Sequence, residues 1–283
     1  MSESTQSARL DRILLATDGS KFSAGAMRVA VEAARKCGSH LTVLTMVVSN
    51  PEVEAIAPQV VAKAELYARR ILDDVERQAT VSGVVIERLV RHGQDPAHQI
   101  IRQAEKKAAD LIVMGRRDEH GLARMLVAEA TVKVCGKAPC SVLVVPRAGE
   151  LPCQRILIAT DGSRHAVYAA IMAARLAGLC NLPVTVLSVI LPRHNEARRA
   201  EAAAEVARVK QDLLRAGLDA ETVVINAPKP EIGIIETANA RGVDLIVLGS
   251  HGRTGLLEEM VIGSVSERVL GSATCPVLVA KLG

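Results

Sequence analysis

The chain repeats itself. Arg12-Ile13-Leu14-Leu15-Ala16-Thr17-Asp18-Gly19-Ser20 returns as Arg155-Ile156-Leu157-Ile158-Ala159-Thr160-Asp161-Gly162-Ser163. Further on, Val43-Leu44-Thr45 returns as Val186-Leu187-Ser188, and Asp110-Leu111-Ile112-Val113 as Asp244-Leu245-Ile246-Val247. Near the ends, Cys140-Ser141-Val142-Leu143-Val144 matches Cys275-Pro276-Val277-Leu278-Val279. The offset drifts from 143 residues at Arg12 to 135 at Cys140, as a few changes of loop length produce. A duplication on this scale divides the 283 residues into two domains of ordinary size. The boundaries it sets are a disordered N-terminus at 1–10, a first domain at 11–146, a linker at 147–152 and a second domain at 153–283.

Within each half, short aliphatic runs alternate with helical patterns. Arg12 to Thr17, His40 to Val48, Val84 to Arg91, Leu111 to Met114 and Val142 to Val145 read as strands. Helices are expected from about Ser23 to Cys37, Gln59 to Thr80, Pro96 to Ala108 and ahead of Gly136, with Gly38 ending the first and Asp95 capping the third. The second half repeats the scheme. Strand and helix in strict alternation give right-handed crossovers and a parallel sheet covered on both faces. Such a sheet binds ligands outside the carboxyl ends of its strands, where the strand order reverses. If that order is 3-2-1-4-5, the Asp-Gly-Ser turn after strand one and the loop after strand four face one crevice.

The loop after the fourth strand of the second half is rich in glycine. Leu245-Ile246-Val247-Leu248 breaks into Gly249-Ser250-His251-Gly252-Arg253, and Gly263-Ser264-Val265-Ser266 then opens a helix. Glycines let the backbone approach an anion, and the first N–H groups of a helix, at the positive end of its dipole, hold one. The same letters also describe a plain strand-to-helix turn. His251 reads either as a donor to a phosphate or as a solvated loop residue, and Arg253 as a candidate bidentate donor.

Composition removes other classes. One Phe and two Tyr leave little on which to stack the bases of a nucleic acid, and a net charge of +4 is mild. Charged runs such as Arg198-Arg199-Ala200-Glu201 read as solvated helix faces. The six cysteines include no CxxC pair and no zinc spacing; Cys37 with Cys180, and Cys140 with Cys275, read as repeated buried residues, in keeping with reduced thiols and a cytoplasmic location. No apolar run is long enough to span a bilayer, and no nucleophile elbow, metalloprotease motif or Walker lysine is present.

An Asp-Gly-Ser turn after strand one, a Gly-x-x-Gly loop after strand four and a Gly-Ser helix start, twice over from about residue 11 to the end, together resemble the universal stress protein family in its tandem form. The resemblance implies two tandem α/β domains, each a five-stranded parallel sheet of order 3-2-1-4-5. It also implies ATP, with Mg²⁺ held through its phosphates, bound by the pattern Gly, two residues, Gly, nine residues, Gly-Ser. Carried onto this chain, the site comprises Thr160, Asp161, Gly162, Val189, Gly249, Ser250, His251, Gly252, Arg253, Gly263, Ser264, Val265 and Ser266, with Val189 at the adenine edge. Ten residues rather than nine separate Gly252 from Gly263, and the extra one falls within 256–262. The first half keeps the spacing but reads Gly115, Asp118 and Ala128-Glu129, which puts carboxylates where phosphates belong, with Arg116 and Arg117 nearby. An asymmetric protein is expected, with its nucleotide in the second half, Asp161 turned to the ligand and Asp18 only supporting its turn.

Its role is then a nucleotide-dependent regulatory or interaction module of the stress response with an unidentified protein partner. The alternatives are a scaffold that binds no nucleotide and a slow ATP hydrolase. In the family the fifth strands pair across a two-fold axis, which implies here an intramolecular pseudo-dimer, with further homodimers left open.

Overall fold

The computed structural model describes residues 10–116, 129–253 and 262–281. Its contacts form two compact units, 1–118 with 138–151 and 119–137 with 152–283. The first unit carries β1 (Arg12–Ala16), α1 (Ala24–Cys37), β2 (His40–Val48), α2 (Pro51–Ile56), α3 (Pro58–Val81), β3 (Ile86–Gly93), α4 (Pro96–Lys106), β4 (Leu111–Gly115) and β5 (Ser141–Val145). All its strand pairs are parallel and their order is β3-β2-β1-β4-β5.

The second unit holds α5 (Glu129–Lys137), β6 (Ile156–Ala159), α6 (Arg164–Cys180), β7 (Val184–Ile190), α7 (Glu196–Arg215), β8 (Ala220–Asn226), α8 (Pro230–Ala240), β9 (Leu245–Gly249), α9 (Ser264–Ser272) and β10 (Val277–Ala280). Its order is β8-β7-β6-β9-β10, again parallel throughout. This is the expected doubly wound sheet, twice. By sequence α5 belongs to the first repeat, but its contacts group it with the second unit.

The strands form because each is a continuous aliphatic run that buries both faces. Ile13, Leu14, Leu15, Ile112, Val113, Leu157, Ile158, Ile246 and Val247 are all within 1% of complete burial. At tens of kcal/mol in total, burial on this scale is the main force closing each unit. Helix ends follow local chemistry. Gly38 and Asn181 take left-handed conformations and close α1 and α6 by N–H bonds to Ala34 and Ala177 carbonyls. Asp95 accepts from His98 N at 3.2 Å, with Pro96 the first residue of α4.

A repeated polar clasp sits at the amino end of each sheet. Asp110 accepts from the backbone N–H of Asp11 and Arg12, and Asp244 from Cys153, Gln154 and Arg155. Beside them Thr42 and Lys107 hold Glu87, while Thr185, Arg155 and Arg241 hold Glu221.

Four readings change. Pro51–Ile56 is a short helix rather than part of a connection. Leu10, expected to be disordered, is buried. The early linker is tied down, since Arg28 donates to the carbonyls of Arg147 and Gly149 at 2.8 and 3.1 Å. Cys140 is buried, but Cys37, Cys180 and Cys275 are only partly so; a fifth thiol, Cys135, is fully buried and pushed up to about 12, which makes it inert.

Candidate functional site

The Asp-Gly-Ser turn leaves β6 at the centre of the second sheet, where crossovers diverge to either side. Thr160 N donates to Leu187 O at 2.8 Å and Thr160 Oγ1 accepts from Gly162 N at 3.2 Å. Gly162 has φ +80°, a left-handed conformation that a side chain would strain. Asp161 Oδ1 accepts from Ser163 N at 2.9 Å, and Ser163 Oγ caps α6 through Ala166 N. The other carboxylate oxygen, Oδ2, accepts from Arg253 N at 2.9 Å in the glycine loop. One aspartate thus ties the two loops of the crevice together.

Gly249 and Gly252 have a steric reason. A Cβ on Gly249 would fall 2.7 Å from the His165 carbonyl carbon, and one on Gly252 would fall 2.8 Å from Asp161 Oδ2. Between them Ser250 is buried, with its hydroxyl toward His165 and His251. Gly263 N donates to Ser250 O at 2.9 Å, so the start of α9 is fastened to the glycine loop. The extra residue of the 256–262 stretch, apart from Ile262, lies outside the described residues, as do Arg117, Asp118 and Ala128. Arg253 before it is held by Asp161, and Gly263 after it by Ser250. α9 begins at Gly263 without a side-chain cap, so the N–H groups of Ser264, Val265 and Ser266 point outward from a helix start. Ser266 Oγ donates to Gly249 O at 2.9 Å, binding the helix to the end of β9.

These elements surround a cavity of about 730 Å³ at the carboxyl ends of β6, β7 and β9. Of the expected site residues, Thr160, Asp161, Val189, Gly249, His251, Gly252, Arg253, Gly263, Ser264, Val265 and Ser266 line it; Gly162 and Ser250 stand behind the wall. Leu187, Val189, Leu191 and Ile234 give it an apolar side suited to a flat ring.

The cavity is also lined by basic side chains, most of which the motifs did not announce. Arg193, Arg198, Lys229, Arg253 and Arg268 line it, against the single carboxylate of Asp161. Arg198 overturns its reading as a solvated face: its side chain is 19% exposed and its guanidinium donates to Asp161 O at 3.0 Å. Arg253 pairs with Glu201 at 3.0 Å, and this hydrogen bond and charge hold the Glu201 carboxyl below its ordinary value. Arg268 pairs with Glu231 at 3.1 Å. Burial, then the charges of Arg198, Arg193 and Arg199, push His194 below the ordinary histidine value; its neutral Nδ1 accepts from Leu191 N at 3.2 Å. One rule could have found Arg193 and Lys229 in the sequence: both stand within three residues of the carboxyl end of a parallel strand.

An open parallel sheet, present here twice, with a glycine-walled cavity lined by basic side chains at the switch point of the second copy, defines a class of small-ligand α/β domains. The comparisons make this particular: the model of the universal stress protein family matches residues 9–146 and 152–281, and the chain belongs to that family. It is similar to universal stress protein YxiE of Bacillus subtilis, 30% identical over 146 residues that cover 48% of this chain and 98% of that protein. It is also similar to universal stress protein MJ0531 of Methanocaldococcus jannaschii, 34% identical over 148 residues that cover 48% of this chain and 86% of that one. Each of these relatives matches about half of the chain. The structure of a universal stress protein from Archaeoglobus fulgidus spans both, covering 98% of this chain and 100% of its own at a TM-score of 0.79 and 20% identity, a likeness of fold.

Proposed function

We propose that the second unit binds ATP, with Mg²⁺ held through the phosphates, and that the protein acts in the cytoplasm as a nucleotide-dependent module of the stress response. The observation that carries this reading is the cavity itself. An uncapped helix start, two sterically required glycines and five cations surround a space with one apolar side. The phosphates lie against Gly249, Gly252 and the N–H groups of Ser264 to Ser266, where dipole and donors act together. The base lies along Val189. Asp161 serves the ligand from a carboxylate already aimed by two backbone donors.

Denaturing the purified protein and identifying released nucleotide by mass spectrometry, followed by calorimetric titration with Mg-ATP, tests this. Binding in the wild type, abolished in Gly263→Asp by a carboxylate placed at the helix start, is the expected result. No released nucleotide and no heat at millimolar ATP leaves the scaffold reading in possession. That second reading has its own support in the first unit, where Ile56, Val60 and Tyr67 are 82%, 56% and 56% exposed on α2 and α3. Exposed apolar side chains of this kind are available for protein association.

A further inference from the structure

In the nucleotide reading above, the base lies along Val189 of β7 and the phosphates lie at the end of β9 and the start of α9. The strand order of the second unit puts β6 between β7 and β9. Neighbouring strands are about 4.8 Å apart, so β7 and β9 end about 10 Å from each other. A ribose joining that base to those phosphates crosses the end of β6, which is the turn at Thr160 and Asp161. Side chains beside this turn are therefore neighbours of the sugar.

The side chains found there are basic. Arg198 lines the cavity and donates to Asp161 O at 3.0 Å. Of the five N–H donors of a guanidinium, a second reaches Glu201 at 3.4 Å. Arg193 lines the same cavity from the turn after β7, which closes through a bond from His194 N to Leu191 O at 2.9 Å. Arg199, next along α7, donates to the neutral Asn226 Oδ1 at 2.8 Å. Among the described residues, the carboxylate that reaches this group is Glu201, and Arg253 holds it more closely at 3.0 Å.

His194 stands between these arginines and also lines the cavity. Its Nδ1 accepts from Leu191 N at 3.2 Å, so the neutral ring carries its proton on Nε2 and is a donor there. Burial, then the charges of Arg198, Arg193 and Arg199, push this histidine below its ordinary value. Asp161 does not oppose the group: its carboxylate oxygens accept from Ser163 N and Arg253 N, and it is the carbonyl that meets Arg198. In parallel-sheet nucleotide sites an acidic residue suits free ribose hydroxyls, and an arginine nearby accommodates a phosphate on the ribose. A sugar with free hydroxyls leaves the donors of Arg193 and His194 to water.

We propose that Arg193, Arg198 and His194 Nε2–H form a second phosphate subsite beside the ribose, so that the cavity takes adenosine nucleotides phosphorylated on the 2′ or 3′ oxygen as well as on the 5′. The proposal rests on the nucleotide reading above. The two guanidinium groups supply charge and forked donors to such a phosphate. The imidazole adds a neutral donor between them without adding to their mutual repulsion. The 5′-phosphates keep the N–H groups of Ser264 to Ser266 on the other side of the turn.

Calorimetric titration of the full chain with four probes tests it: AMP, adenosine 3′,5′-bisphosphate, adenosine 2′,5′-bisphosphate, and ADP, whose added phosphate is at the 5′ end. One of the two bisphosphates should bind about tenfold more tightly than AMP, the size of one hydrogen bond to a charged group. The arm that gains identifies the oxygen. Arg193→Gln and Arg198→Gln should each remove most of that gain while leaving the ratio of ADP to AMP affinity at its wild-type value. Ratios are the quantity read, because Arg198→Gln also loosens the Asp161 turn and weakens every nucleotide. Arg193 is exposed in its turn, so its variant carries the test even where Arg198→Gln fails to fold. Neither bisphosphate binding more tightly than AMP overturns the subsite. So does a gain that survives both substitutions, or an ADP ratio that falls in step with it. Mg-ATP binding without a bisphosphate gain overturns the subsite alone, whereas no binding of Mg-ATP or any probe overturns the nucleotide reading and the subsite with it.

Discussion

Arg198 shows how one side chain is drawn into the site from an element that looks like surface. It sits one turn into α7, just after Asn195, whose side chain accepts from Arg198 N at 2.9 Å and caps the helix. The cap sets the direction of the first turn, and the guanidinium then reaches Asp161 O at 3.0 Å. That carbonyl belongs to the turn whose carboxylate holds Ser163 and Arg253, so Arg198 steadies the same residue from the opposite side. Replacing it with glutamine removes a charge from the cavity wall and a charged donor from the turn. Mg-ATP affinity in Arg198→Gln should fall about tenfold, the value of about 1.5 kcal/mol for a hydrogen bond to a charged group. Calorimetry checks this, and an unchanged affinity would return Arg198 to the solvated face of α7.

At the scale of elements, the strands were legible because a buried parallel strand is written as an unbroken aliphatic run, with no face to infer. The glycine loop was legible because Gly249 and Gly252 are demanded by backbone and side-chain neighbours at under 3 Å. α2 was not, because two prolines seven residues apart read as a loop, although Pro51 stands at a helix start where proline is tolerated. The cationic wall was hidden for a different reason. Helical periodicity tells which residues share a face of α7, but not which arginine reaches the turn after β6. The clasps at the amino ends of the sheets were also missed, since Thr42 and Glu87 become neighbours only through strand register and Lys107 reaches Glu87 from the end of α4. They have a measurable consequence. The hydrogen bond from Lys107 holds the Glu87 carboxyl below its ordinary value of 4.5. Partial burial pushes Glu221 up, but hydrogen bonds from Arg241 and Thr185 and the charges of Arg241 and Arg155 outweigh it, so Glu221 also lies below 4.5. A carboxyl with a lowered folded value contributes stability that is complete above its unfolded value and is lost as pH falls through the folded one. The thermal midpoint should therefore decline below pH 4.5, and Glu87→Gln with Glu221→Gln should flatten that decline. Both groups are partly exposed, so each substitution costs under about 1 kcal/mol at pH 7. A decline of the same steepness in the double variant would show that other carboxyls set it.

At the scale of the molecule, duplication has kept the fold and let the surroundings of the two Asp-Gly-Ser turns diverge. The first unit retains the turn: Thr17 Oγ1 accepts from Gly19 N at 3.1 Å, and Asp18 Oδ1 from Ser20 N at 3.0 Å. What surrounds that turn has changed. Ile71 of α3 is buried against Gly19, filling the Cβ position, whereas the Cβ position of Gly162 in the second unit is 3.7 Å from Cγ of Glu205. A turn covered by an aliphatic side chain supports packing; one flanked by Glu205 and Arg198 stays polar on the side of the cavity. Glu129, which stands where the second unit has Ser264, is 82% exposed and pairs with Lys133 at 2.8 Å, presenting negative charge at the start of α5. A helix start carrying a carboxylate is a poor phosphate donor, since its N–H groups and dipole are already offset. The consequence is a stoichiometry. Native mass spectrometry or calorimetry should find one ATP per chain, with Asp161→Asn weakening it about tenfold through the loss of charge that aligns the Arg253 and Ser163 N–H groups. Asp18→Asn should leave affinity unchanged. Two nucleotides per chain, or equal effects of the two substitutions, would mean that the first unit has kept a working site in spite of Ile71 and Glu129.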